Sequence, residues 1–543
     1  MKKVLLCCIA MIFIPLFSGC VNDDTGEDSS LDYSSSPAFN DESADGSVDG
    51  SMDEPSISEE TNMNEIPIPN HEDLIAEDPP PPVFVDANVH DPSVFRVGDT
   101  FYVIGSHMSM AKTDDFMKWT QVSAYVTHNP LVPNVREDFK EAFEWAQTDT
   151  FWAGDIEPMP DGRFFMYYCN CEGSKPLGNI GLAISDHPEG PYENQGIFLK
   201  SGMSGTSHDG SYYDATRHPN AIDPHAFFDS EGQFRMVYGS YSGGIFILDM
   251  DPETGLPLED QGYGTKLLGG NHSRIEGPYI IHSPETGYYY LFLTFGGLDH
   301  NGGYNIRVAR SLNPDGPYYD AQGNAMIDAM GPRGSFFADA YIEPFGTKIV
   351  GGYHFLGGEG VRGTRHVSPG HNSVYYDEES GRYYLIFHSR FGHTDAHRIR
   401  VHEMFLNEDG WFIASPFRYD GTSHRSFRPE HVPGIWRLIN HGRSINTTPI
   451  DSEIAVFYPD GTITGNVSGN LTGTVNETEN DFENSFENGS WFLDPDGVTF
   501  KVTLDDVEYN GRLLRSWDQD AEEWIMSFTA LSNDGIALWG AGG

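Results

Sequence analysis

Hydrophobic and polar positions alternate along most of this chain in short runs, and the runs come in pairs. The first clear pair is headed by His90-Asp91-Pro92. Ser93-Val94-Phe95-Arg96-Val97 then turns at Gly98-Asp99 into the apolar run Phe101-Tyr102-Val103-Ile104. Period-two alternation broken by a glycine turn reads as a β-hairpin. The same sentence recurs from Asp155 through Gly162 to Phe164, and from Asp223 through Gly232 to Phe234. It recurs again from Glu276 through Gly287 to Tyr288, and from His371 through Gly381 to Tyr383. The five heads are separated by 64, 68, 53 and 95 residues. A hairpin repeated at such intervals is the mark of radial repetition, each unit a blade. No long apolar segment of helical period interrupts it. The fold class is therefore all-β, a five-bladed β-propeller, and closure around an axis brings Asp91, Asp155, Asp223, Glu276 and His371 together.

The texture changes after Phe417-Arg418-Tyr419. Short alternating runs such as Glu453–Tyr458 and Val498–Val502 no longer follow the blade pattern, and predict a small antiparallel β-barrel or sandwich. Four segments result: a leader at 1–20, a tether at 21–82, the propeller at 83–425 and a C-terminal β domain at 426–543. The leader has Lys2-Lys3, an apolar run and Leu16-Phe17-Ser18-Gly19-Cys20, the form of an export signal ending in a bacterial lipobox. Cys20 is then the lipid-bearing first residue of a cell-surface lipoprotein, and this anchor is its only contact with a membrane. The tether carries 18 Asp or Glu and no Lys or Arg, a composition that cannot build a core. As a flexible coil it spans on the order of 45 Å.

Charge narrows the partners. A net charge of -49 with only 32 basic residues repels polyanions, so nucleic acid and polygalacturonate are excluded and a neutral polymer or small molecule is favoured. Five cysteines do not make a disulfide framework. Cys169 and Cys171 share one face of a strand, where two plain thiols fit better than a strained bridge or a metal clip.

Converging acids suit glycosidic bond cleavage. One carboxylic acid protonates the leaving oxygen while an ionised partner activates water or attacks directly. Crowded like charges push the two pKa values apart. Acids that merely cap strands are the plainer reading for one position; five equivalent positions on separate repeats favour chemistry.

The linked motifs His90-Asp91-Pro92-Ser93, Phe151-Trp152-Ala153-Gly154-Asp155-Ile156, Ile222-Asp223-Pro224-His225, Ile275-Glu276-Gly277-Pro278-Tyr279 and Gly370-His371-Asn372-Ser373 resemble glycoside hydrolase family 43. Blade order and the added β domain are similar to the extracellular two-domain endo-α-1,5-L-arabinanases of that family. The resemblance covers about 83–543 and implies an inverting enzyme acting on arabinan, with Asp91 as general base and Glu276 as general acid. It makes Asp223 the residue that tunes and orients the acid, and gives His371 a calcium ion held mostly through waters. A lone imidazole is an unusual anchor for a cation that prefers oxygen. From chemistry alone His371 reads as a partner of substrate or acid. Substrate contacts are expected from Asp91, Trp152, Asn220, Asp223 and Ser240, with Trp152 either a stacking platform or a core residue. Asp155 has no proton-transfer role and is expected to make a structural hydrogen bond. Gly154 stands where the family commonly has proline, and Cys169 and Cys171 where it has small hydroxyl residues. Competing readings are an exo-acting α-L-arabinofuranosidase or β-xylosidase of the same family, and a non-catalytic glycan-binding lipoprotein. The motifs typical of sucrose and fructan hydrolases are absent.

Overall fold

The five hairpin glycines explain why the repeat folds as it does. Gly98, Gly162, Gly232, Gly287 and Gly381 all adopt positive φ, between 60° and 92°, and a side chain there would meet no atom. Left-handed backbone conformation, not crowding, selects glycine at these turns. A computed structural model describes residues 78–357, 363–422, 424–465 and 489–542. The leader with Cys20, and the tether up to residue 77, lie outside the described residues.

Each hairpin grows into a four-stranded antiparallel blade. The first comprises Ser93–Val97, Thr100–Gly105, Ser109–Thr113 and Thr120–Ser123; the second runs from Asp155–Pro158 to Glu193–Lys200. The third runs from His225–Phe228 to Thr265–Leu268, and the fourth from Ile275–His282 to Thr347–Val350. The fifth is built on His366–Asp377, Arg382–Phe391, His397–Leu406 and Phe412–Ala414. It gains Tyr353–His354 and a parallel partner, Ile450–Asp451. Apolar side chains pack between neighbouring blades, as where Phe227, Val237 and Ile247 of the third meet Ile280, Leu291 and Leu293 of the fourth.

The C-terminal β domain is a closed eight-stranded barrel, with Gly434–Asn440 pairing to both Glu453–Phe457 and the last strand, Ala537–Gly542. Its interior is filled by aromatic rings, including Trp436, Phe457, Phe500 and Phe528, all almost wholly buried. Gly540 and Gly542 make room for two of them, since a Cβ at either would press on the Phe528 or Trp436 ring.

Propeller and barrel share buried polar groups. Lys348 Nζ, in the fourth blade, donates to the carbonyls of His441 and Ser444 at 2.8 Å each. Arg307, also fully buried, donates to the Arg443 carbonyl as well as to those of Glu343 and Phe345.

Candidate active site

The head positions meet at the propeller axis in an uncommon backbone geometry. Asp91, Asp223 and His371 have φ of 58°, 57° and 47°, and Gly277, just after Glu276, has φ 58°. Left-handed backbone at non-glycine residues costs energy and gathers where function demands a particular side-chain direction. The register also slips between Glu276 and Tyr279. Asp91, Asp223 and His371 thereby stand out of the ladder, while Glu276 still pairs with Thr294 and Asp155 with Tyr167.

Asp91 is buried, and its two carboxyl oxygens differ. Oδ2 accepts from Ser106 Oγ at 2.6 Å and from His90 Nδ1 at 2.7 Å. The guanidinium of Arg390 donates to His90 Nε2 at 3.0 Å. That bond requires Nε2 to accept, so the ring proton sits on Nδ1 and points at Asp91. Oδ1 has no hydrogen-bond partner although buried, and His371 Nδ1 lies 3.2 Å from it. Burial opposes ionisation of Asp91, but the imidazoles of His371, His90 and His388 outweigh it and hold the carboxyl well below its ordinary range. Asp91 is thus ionised with one oxygen held and one free, as a base for water requires.

Glu276 is held from the other side. Ser240 Oγ donates to Oε2 at 2.7 Å and the Tyr304 hydroxyl donates to Oε1. Asp223 accepts from the Gly277 amide at 3.4 Å. Burial, opposed by His371 and reinforced by Glu276 and Asp91, raises Asp223 above the ordinary carboxyl range. For His371, burial is outweighed by Asp91, Asp223 and Glu276, and its pKa rises. Asp91 and Asp223, in one buried cluster, are therefore pushed in opposite directions, as crowded like charges are.

The remaining sequence-derived positions sort by contact. Asp155 accepts from Ser93 Oγ at 2.5 Å and from the Ala226 amide at 2.8 Å, stitching three blades together. Trp152 is half-buried, its indole N–H spent on the Cys171 carbonyl. The Asn220 amide is engaged with Ser201 Oγ at 3.1 Å and Cys171 Sγ, so this buried side chain braces the cleft wall. Cys169 and Cys171 are free, buried thiols, their pKa values pushed up by burial. Sequence reasoning missed Ser106, Tyr304, His90 and Arg390. Ser106 was within reach of it: Ile104-Gly105-Ser106 and Tyr238-Gly239-Ser240 end the second strands of two blades alike, and each serine holds an acid.

The axial cavity is lined by polar atoms that lack partners. His225 Nδ1 and both amide atoms of Asn372 are buried there without partners, beside Asp91 Oδ1. Such atoms call for ordered water or an ion. The tightest ligand-type grouping among the described residues is instead His90, Asp91 and His388, within 4.8 Å. Its atoms are already bonded to one another, and the Arg390 charge against His90 disfavours a second cation.

A buried carboxylate with one free oxygen, in one axial cluster with a second carboxyl held by hydroxyl donors, is an arrangement that suits a glycoside hydrolase. The chain belongs to glycosyl hydrolases family 43. Residues 81–339 match that family and residues 416–540 match its C-terminal lipocalin-like domain. It is 51% identical to the extracellular endo-alpha-(1->5)-L-arabinanase 2 of Bacillus subtilis, over 85% of this chain and 94% of that protein. Identity to the extracellular endo-alpha-(1->5)-L-arabinanase of Thermotoga petrophila is 44%, over 84% and 94%. The crystal structure of a family 43 glycoside hydrolase from Bacillus licheniformis superposes with a TM-score of 0.79 at 49% identity, covering 85% of this chain and 99% of that one.

Proposed function

We propose that this enzyme hydrolyses internal α-1,5-L-arabinofuranosidic bonds of arabinan with inversion of configuration. The observation that carries the roles is the asymmetry of Asp91, one oxygen doubly hydrogen-bonded and the other buried and free. Oδ1 takes a proton from the attacking water, and Glu276 gives its proton to the leaving oxygen. Ser240 and Tyr304 orient Glu276, and Asp223, accepting from the Gly277 amide, fixes the backbone beside it. The relatives' names support arabinan as substrate. Inversion predicts a base-to-acid separation of roughly 6.5–9.5 Å, room for one water. Proton NMR of fresh hydrolysate tests it: the first product should carry the inverted anomer, and retention would overturn the assignment.

His371 would hold calcium through its imidazole, beside Asp91 Oδ1 and the unpartnered Asn372 amide. When bound, the ion supplies fixed positive charge beside the developing oxocarbenium site. Chelation, or His371→Ala, should lower turnover far more than melting temperature; unchanged turnover after thorough chelation removes the calcium. Lipid anchoring rests on Cys20. Cys20→Ala should release an active soluble enzyme, and its persistence in a detergent phase would refute the anchor.

A further inference from the structure

Between the third and fourth strands of the fourth blade the chain makes a long excursion, and its far side exposes Phe336, Phe337 and Tyr341 at 63%, 42% and 58%. Single exposed apolar residues need no explanation, but these are contiguous and deliberately presented. Phe337 has φ 53°, as do, nearly, Asn271 and His272 beneath it at 51° and 58°. The Phe336 and Phe337 rings lie 4.1 Å apart, and His272 supports Phe336 at 5.2 Å. The excursion is pinned by Arg274 on Asp339, by Asn271 Nδ2 on the Gly331 carbonyl at 2.9 Å, and by the Gly331 amide on Ser273 Oγ at 2.9 Å. Neither phenylalanine belongs to a core cluster of the described residues. Strained backbone that holds apolar rings out in water is a cost that the fold itself does not require.

Their position supplies the reason. Phe337 packs edge-on against Tyr241 at 5.4 Å, and the Tyr241 amide bonds to the carbonyl of Ile275, the residue before Glu276. A line of contacts thus runs from the strand of Glu276 through Tyr241 and Phe337 to Phe336. Glu276 protonates the leaving oxygen, so the sugars beyond it belong to the departing chain. We infer that Phe336 and Phe337 form a stacking platform for the leaving-side arabinofuranosyl units. This deepens the arabinan reading and rests on it. Furanose rings offer faces rich in C–H groups, and flat apolar surface is what such faces bury. A neutral occupant also suits a chain of net charge -49.

The test compares two substrates in the full-length enzyme and its Phe336→Ala, Phe337→Ala and Phe337→Tyr variants. Debranched arabinan occupies both sides of the bond; a nitrophenyl α-1,5-arabinotrioside places only nitrophenol on the leaving side. On arabinan, kcat/KM should fall about tenfold in each alanine variant, mainly through KM, the scale of one lost apolar surface. On the trioside it should stay within about twofold, and Phe337→Tyr should match the wild type on both. Equal losses on both substrates would make the rings structural, and undiminished arabinan hydrolysis by the alanine variants would end the platform. A wild-type enzyme that leaves arabinan intact defeats the underlying reading and this inference together. Unaffected variants of an arabinan-active enzyme defeat this inference alone.

Discussion

The molecule closes two rings of strands and fills their centres in opposite ways. The barrel's axis holds Trp436, Phe457, Phe500 and Phe528 in mutual contact, with glycines cut to their outlines. The propeller's axis holds Asp91, Asp223, His371 and Asn372, with positive φ at three of the four and polar atoms left unpartnered. The first arrangement lowers free energy wherever it appears; the second raises it and is kept for chemistry. Although the barrel domain is of a lipocalin-like type, aromatic rings fill its centre among the described residues.

Substitution should therefore separate the two centres. Asp91→Ala and Glu276→Ala are expected to lower turnover on arabinan at least about 10³-fold while leaving melting temperature unchanged or higher. An aryl arabinoside, whose leaving group scarcely needs protonation, should partly spare Glu276→Ala and not Asp91→Ala. A marked fall in melting temperature in both variants would break the contrast. In the barrel, Phe528→Ala should cost about 3–5 kcal/mol in denaturant unfolding and leave activity per folded molecule intact.

Acid should act on stability at the seam between the two rings. His402 and His441 pack on Trp539, and His366 on Tyr353. Burial is the main cause lowering all three; His402 falls to about 3 from 6.5, and His366 and His441 fall well below 6.5. Their folded values lie under the free imidazole's, so the unfolded chain takes up protons first as pH falls. Stability is full above 6.5 and is lost below it, by about 1 kcal/mol per histidine between pH 6.5 and 5.5. Replacing His402 by Phe should flatten that limb in unfolding titrations. The smallest effect is at Ser240→Ala, about tenfold in kcat on arabinan, since the hydroxyl orients Glu276.

How much of this could be read from residues follows the same division. The blade heads were legible because symmetry repeats them, down to Asp155 as a structural hydrogen-bond acceptor. Arg390 was not, since it reaches His90 across 300 residues and belongs to no repeat. The choice between barrel and sandwich stayed open because alternation is identical in both; only the pairing of Gly434–Asn440 with Ala537–Gly542 settles it. Phe336 and Phe337 lie in an insertion without periodicity, where nothing in the pattern says which way a ring points.

The buried cations of the fourth blade bear on whether the two rings can be parted. Lys348 and Arg307 complete their bonding only with carbonyls at 441–444, well past the last blade strand. A chain cut at the apparent boundary would strip Lys348 of both its carbonyl acceptors and Arg307 of one of its own, a fault costing several kcal/mol. In this chain the barrel is therefore no detachable module: it completes the bonding of the blade beside it.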